Sequence, residues 1–285
     1  MNHFKKHKFK YFSLVLLFGY LILCPSCITM RTKPGKVANY FEKEKVSFLD
    51  TTVVFGGDIL HYIQTGKKGN PILLFVHGSP GSWNNFEKYL SDSLLLKKFC
   101  MIAIDRPGFG YSDFRKSKNL FEQTAILKQF VNSLPKNVSI FSVGHSYGGP
   151  LITNLAIELP SRFSSIVLLA GAVDPKAETP EKWRKIFKAK PLRYIIPGAL
   201  QPANDELWWL KKDLYVMQEN LKKITTNVIV IHGTDDDLVP YSNVAFVERE
   251  FVNAKLIEVI TIKNANHFIP WEHFETIRKK LLELK

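Results

Sequence analysis

Cysteine is scarce in this chain: three residues in 285, with Cys24 and Cys27 at the end of an apolar N-terminal run. Only Cys100 lies in the body of the chain, inside Cys100-Met101-Ile102-Ala103-Ile104. One thiol there excludes a disulfide framework, and no cysteine spacing fits a metal site. Its apolar company makes Cys100 a buried, inert strand residue. Acidic residues are also the minority, 26 against 39 Lys and Arg, for a formal charge of +13. That balance alone would suit a nucleic-acid binder. Yet Lys5, Lys6, Lys8 and Lys10 supply part of it ahead of any folded domain, the rest is spread along the chain, and no RNA- or DNA-binding motif accompanies it. Nucleic acid is not an expected partner. Internal repeats and low-complexity tracts are missing too, which excludes solenoids and propellers. What remains, 46% apolar and 23% charged, suits one globular domain with an insertion.

The N-terminus reads as a targeting or anchoring segment. Four lysines precede an apolar run from Tyr11 to Leu23, the layout of an export signal. The run is short for a helix that must cross about 30 Å of hydrocarbon. Ser26-Cys27, a small residue directly before a cysteine, is similar to the processing site of bacterial lipoproteins, although Cys24 and Pro25 stand where a leucine and a small residue are usual. Cleavage there would make Cys27 the lipid attachment residue, and its acyl chains would hold the protein to a membrane. An uncleaved signal anchor is the alternative. Either way, residues 1 to 27 are expected to place the folded part outside the cytoplasm, facing the periplasm or cell exterior. Residues 28 to 45, polar and carrying Pro34-Gly35, are expected to form a flexible tether.

Beyond the tether, residues 46 to 55 and 59 to 64 flank Gly56-Gly57-Asp58 and predict a hairpin. Short apolar strands follow at 72 to 76, 101 to 104, 138 to 143, 165 to 169, 228 to 231 and 256 to 262, alternating with helical patterns such as 120 to 131. That alternation implies a mostly parallel sheet with helices on both faces. One connection is far too long. Between Ala170-Gly171 and Val228, where a dozen residues would suffice, lies a stretch with Trp183, Tyr194, Trp208, Trp209 and Tyr215. Residues 174 to 223 are read as a helical cap (lid) over one end of the sheet, and 46 to 173 with 224 to 285 as the core. The aromatic residues suggest that the cap lines a small-molecule cleft. Lys and Arg outnumber Asp and Glu in it, so its outer face is expected to be basic, with a weak preference for anionic substrates.

The chemistry centres on Gly144-His145-Ser146-Tyr147-Gly148, which follows a strand pattern and precedes Leu151, Leu155, Ala156 and Leu159 at helical spacing. A serine between glycines at such a junction can occupy a strained turn that lifts its hydroxyl clear of the backbone. To attack an acyl carbon it needs a base, and the base needs an orienting group. The loop after residue 231 offers Asp235, Asp236 and Asp237; the loop after the last strand offers His267. Chemistry alone does not separate the three adjacent carboxylates. His77 and His145 are read as packing and loop-shaping residues, and His61, His232 and His273 as structural or exposed.

With these motifs the chain, over roughly residues 50 to 285, resembles an α/β-hydrolase fold protein of the serine ester-hydrolase type. The blocks that carry the resemblance are His77-Gly78-Ser79-Pro80-Gly81-Ser82, Asp105-Arg106-Pro107-Gly108-Phe109-Gly110-Tyr111-Ser112, the serine block, the 233 to 240 acid loop and Asn266-His267-Phe268. The resemblance implies an α/β-hydrolase fold with the cap after the sixth strand, and the order Ser146, Asp236, His267 as catalytic triad. It selects Asp236 among the three acids, keeps Asp174 as an alternative, and makes Asp105 a loop organiser. It implies an oxyanion hole from the backbone N–H groups of Ser79 and Tyr147, with Trp83, Tyr147 and Phe268 near the substrate. No cofactor and no metal are expected. The implied activity is hydrolysis of a carboxylic ester, or an amide or thioester, through an acyl-enzyme. C–C bond hydrolysis, acyl transfer, or a non-catalytic binding module on the same fold stay open, as does the oligomeric state.

Overall fold

The computed structural model describes residues 11–16, 18–20 and 23–285. The basic start of the expected signal (Lys5, Lys6, Lys8, Lys10) and Leu17, Leu21 and Ile22 of its apolar run lie outside the described residues. Among the described residues no helix is long and apolar enough to cross a membrane.

The hairpin forms where the glycines predict it. Strands β1 (Phe48–Phe55) and β2 (Asp58–Gly66) pair antiparallel around Gly56 and Gly57, whose φ values of 58° and 92° suit a type I′ turn. Strands β3 (Ile72–Val76), β4 (Cys100–Ile104), β5 (Ile140–His145), β6 (Phe163–Leu169), β7 (Asn227–Gly233) and β8 (Leu256–Ile262) complete one eight-stranded sheet in the order β1-β2-β4-β3-β5-β6-β7-β8. From β4 to β8 all neighbours are parallel, so the carboxyl ends of β3, β5, β7 and β8 open on one edge. Cys100 is buried in β4, as its apolar neighbours dictate.

Alternation along the strands sends side chains to two layers. Leu74, Val76, Ile102 and Ile104 pack with helices α3 (Leu120–Ser133) and α4 (Gly148–Glu158); Leu73, Phe75, Met101 and Ala103 face the other side. That second layer corrects the expected tether. Residues 34 to 43 are helix α1 (Pro34–Lys43), not a flexible linker. Proline is well placed in a first turn, where its missing N–H is not needed. Val37 and Phe41, four residues apart, share a face and are buried to 2% and 0% exposure. Phe41 stacks on Phe48 and Trp83 at ring distances of 4.7 and 6.0 Å. Helices α2 (Ser93–Lys98) and α7 (Phe274–Glu283) share this layer through Leu95, Ile277 and Leu281.

The insertion after β6 is helical, as expected. It runs through 3-10 helices Lys182–Lys188 and Leu192–Ile195, the long α5 (Leu200–Gln218), and a last turn, Leu221–Lys223. Helix α6 (Ser242–Glu250) follows β7 and joins the α3–α4 layer through Val244, Phe246 and Val247.

Candidate active site

Ser146 stands between the end of β5 and the start of α4 with φ of +53°, a region that costs a side-chain-bearing residue strain. The turn is held by Ser146 N–H donating to Leu169 O at 3.0 Å and by Gly149 N–H donating to Ser146 O at 2.9 Å. Gly148 must lack a side chain: a Cβ there would lie 2.2 Å from Val76 O of the neighbouring strand. The elbow expected from the pentapeptide is therefore built, and the serine is only partly buried.

The two partner loops converge by the same device. A Cβ on Gly233 would lie 2.1 Å from Ala265 O, and Asp235 N–H donates to that carbonyl at 3.0 Å. This close approach brings His267 Nδ1 to 2.7 Å from Asp236 Oδ2. The structure thus separates the three acids. Asp235 accepts from the Thr234 hydroxyl, Asp237 is exposed, and Asp236 alone meets His267. Asp174, the alternative, caps its own turn by accepting from Lys176 N–H, while Asn243 Oδ1 receives the Val173 and Asp174 amides.

Burial pushes the Asp236 pKa up. Hydrogen bonds from His232, His267 and the Val239 amide more than offset that push and hold the carboxyl well below the usual carboxylate range. A carboxylate at this position takes the His267 Nδ1 proton as its hydrogen bond, which leaves a lone pair on Nε2. His232, expected from the sequence to be structural or exposed, is structural. Its Nε2 donates to Val239 O at 2.9 Å and lies 3.4 Å from Asp236 Oδ2, fully buried. Beneath His267, the His145 ring lies 4.8 Å away and its Nε2 donates to His267 O at 3.1 Å. Burial, then the nearby His267, lowers the His145 pKa to about 3, so it is neutral and supports the loop. His77 is likewise held well below its ordinary value by burial and the Arg106 charge; its Nδ1 donates to Gly78 O and its Nε2 accepts from Arg106 N–H.

A cavity of about 610 Å³ joins Ser146, His267, Ser79, Tyr147 and Phe268 in one wall. Among the described residues neither the Ser79 nor the Tyr147 backbone N–H has a hydrogen-bond acceptor. Phe268 is half exposed at the rim beside Trp271, which sequence reasoning did not single out. The Tyr147 ring is buried beneath the Arg106 guanidinium, 4.5 Å from its centroid, and its hydroxyl has no partner among the described residues. Trp83, expected near the substrate, lies instead in the α1 layer of the core, its backbone N–H donating to Asp105 Oδ1 at 2.8 Å. Asp105 also takes Tyr111 N–H and His61 Nδ1, which makes it the loop organiser the motif implies.

The cap departs from expectation in what it shows the cavity. Its contribution is Ala177, Glu178, Thr179, Glu181, Arg184, Leu207 and Leu210, with no cap aromatic among them. Trp183, Tyr194 and Tyr215 are exposed on the outside. With Asp237 also in the lining, carboxylates outnumber cations there, so the basic exterior gives no basic interior. The cap is fastened by a fully buried ion pair that no periodicity announces. Arg106 Nη1 and Nη2 donate to the Glu206 carboxylate at 2.8 and 2.7 Å, and Nη2 also to Gly78 O at 3.0 Å.

Residues 71–195 match the family described as alpha/beta hydrolase fold. The chain is 31% identical over 157 residues to an uncharacterized hydrolase of Saccharomyces cerevisiae, covering 50% of this chain and 52% of that one. It is 27% identical over 165 residues to epoxide hydrolase 1 of Caenorhabditis elegans, covering 55% of this chain and 37% of that one. The chain thus spans about half or less of the length of these curated relatives, 52% and 37%. Among solved structures, a serine hydrolase of Cycloclasticus zankles superposes with a TM-score of 0.68 at 17% identity, covering 83% of this chain and 97% of that one.

Proposed function

We infer that this chain, an enzyme with the α/β-hydrolase fold, is a serine hydrolase that cleaves a carboxylic ester through an acyl-enzyme on Ser146. The observation that carries the reading is the meeting, in one cavity wall, of a strained, partly buried serine, an imidazole oriented by a buried carboxylate, and two amides without acceptors among the described residues.

In this reading His267 Nε2 takes the proton as Ser146 Oγ adds to the carbonyl carbon. The carbonyl π electrons move to oxygen, where the Ser79 and Tyr147 N–H groups receive the negative charge. When the tetrahedral adduct collapses, the C–O bond to the alcohol breaks and His267 returns its proton to that oxygen. Water then adds to the acyl-serine with His267 again as base, releasing the acid and restoring the hydroxyl. Asp236 stays ionised and steadies the imidazolium.

Serine also argues for acyl chemistry against epoxide opening, the activity that names one relative. Opening an epoxide on Ser146 would leave an ether, with no carbonyl for water to attack; the same step on a carboxylate leaves a hydrolysable ester. The Tyr11–Leu23 run and the exposed Cys27 thiol support membrane tethering, which replacement of Cys27 by Ser and fractionation would test. For the chemistry, a fluorophosphonate probe should label the purified protein, and Ser146→Ala should abolish both labelling and aryl-ester turnover. Undiminished labelling of that variant would overturn the reading.

A further inference from the structure

We propose that the outer edge of the cap, residues 182 to 194, docks on the anionic surface of a lipid bilayer, beside the point where the N-terminal apolar run enters that bilayer. The two short 3-10 helices leave Trp183 and Tyr194 about half exposed, at 48% and 50%, and Ile186 at 57%. Lys182, Lys185 and Lys190 stand among them, exposed, and the ion pairs of this stretch go instead to Arg184 (with Glu181) and Arg193 (with Asp205). No acidic residue occurs from 182 to 204. Lysines without an ion pair among the described residues, interleaved with Trp, Tyr and Ile, fit an interface at which headgroup phosphates meet the cations and acyl chains meet the rings.

A second observation says what lies next to this edge. Tyr20 Oη donates to Ile195 O at 2.8 Å, and Cys24 Sγ donates to the same carbonyl at 3.2 Å. Gly198 N–H donates to Cys24 O at 3.2 Å and Ala199 N–H to Ile28 O at 2.9 Å. Upstream, Tyr11, Phe12, Leu14, Val15, Leu16 and Phe18 are each more than half exposed. Among the described residues, no element packs over most of their surface. Whether this run is kept or Cys27 carries lipid, the apolar group departs from a point fixed against Gly198, directly after the basic turns. Arg184 of those turns also lines the cavity, so the docked edge and the cavity wall are one piece of chain.

The docking surface does not depend on the ester-hydrolase reading, and its test has a separate readout. The full chain is reconstituted in phosphatidylglycerol or phosphatidylcholine vesicles, and hydrogen exchange is followed by mass spectrometry, with Ser146 labelling as an independent check of the hydrolase reading. Amides of 182 to 194 should slow by about tenfold or more in phosphatidylglycerol relative to phosphatidylcholine. The slowing should vanish in high salt and in Lys182→Glu/Lys185→Glu/Lys190→Glu. The 251 to 254 loop, beside the amino ends of β7 and β8, should exchange alike in all samples. Trp183→Ser/Ile186→Ser should also lose the slowing, and neither side chain is buried, so the fold survives. Equal protection in both lipids, or protection that outlives charge reversal, overturns the proposal. Protection that follows protein concentration without lipid also overturns it, and assigns the edge to a second copy.

Discussion

Around the sheet, Val76, Ile102 and Ile104 meet α3 and α4 through carbon alone, whereas the first half of α5 reaches the core chiefly through polar ties of Gln201 to Arg115, Asp205 to Ser117 and Glu206 to Arg106, beside a small apolar contact of Ala203 with Phe109. Apolar packing is roughly proportional to area and indifferent to direction. Buried charges are directional: they stabilise little against an apolar replacement, yet removing one partner is costly because the other is left bare. The sheet layers can thus be assembled from any fitting set of side chains, while the cap sits where its partners are. That is why the sheet and its layers were readable from residue order, while of the cap only its place and helical character were, and not its fastening.

The sharpest way to break this contrast is at the site the sheet edge builds. Asp236→Asn should lower kcat by roughly ten-thousandfold, because the imidazole loses its oriented tautomer. Asp174→Asn should leave kcat within a few-fold of the parent. Comparable losses from both would remove the distinction between the acid that meets His267 and the one that caps a turn. Kinetics on an activated aryl ester decide it.

Next comes the fastening of the cap. Glu206→Leu strands the Arg106 charge and should cost about 3 to 5 kcal/mol in urea unfolding, with most of it recovered in Arg106→Met/Glu206→Leu. The exposed pair Lys128–Glu158 offers the counterpart, and Glu158→Ala should cost under about 1 kcal/mol. Equal costs would mean that burial does not separate the two regions.

A smaller effect lies in acid. Folded His145 binds no proton until about pH 3, while the unfolded side chain takes one up near 6.5. Between those values the unfolded chain holds more protons, so stability should fall as pH drops through that window. Below the ordinary carboxylate range Asp236, held low by its hydrogen bonds, adds a loss of the same sign. His61 acts oppositely. Burial lowers its pKa, but Asp105 and Asp50 raise it by more, so its contribution is full below about 6.5 and is lost as pH rises from there through the raised value. His145→Gln should flatten the decline between pH 6 and 4 by an amount on the order of 1 kcal/mol or more. An unchanged profile would show that the site end of the sheet tolerates a charged His145.

Legibility follows the same divide. The strands announced themselves because a period of two or a short apolar run has one physical meaning in a covered sheet. Ser146 announced itself through glycines whose absent side chains the neighbouring backbones require. Helix α1 escaped because Pro34-Gly35 reads as a break, and a first-turn proline looks the same in one dimension. Trp83 and the cap aromatics misled for one reason: large rings serve cores, surfaces and clefts alike, and only packing tells which. Glu206 left no mark, since a buried partner shows itself only when the other end of the pair is in view.

The Arg106 fork reaches from Glu206 of the roof to the carbonyl of Gly78, one residue before Ser79. Swinging α5 away would therefore tug on the very loop expected to cradle the oxyanion, and would leave a guanidinium in dry surroundings. Passage of ligands is instead expected at the rim of short turns between 177 and 195, where many side chains meet water. Rim and latch meet in neighbouring residues, since Arg193 of the turns pairs with Asp205, the residue before Glu206.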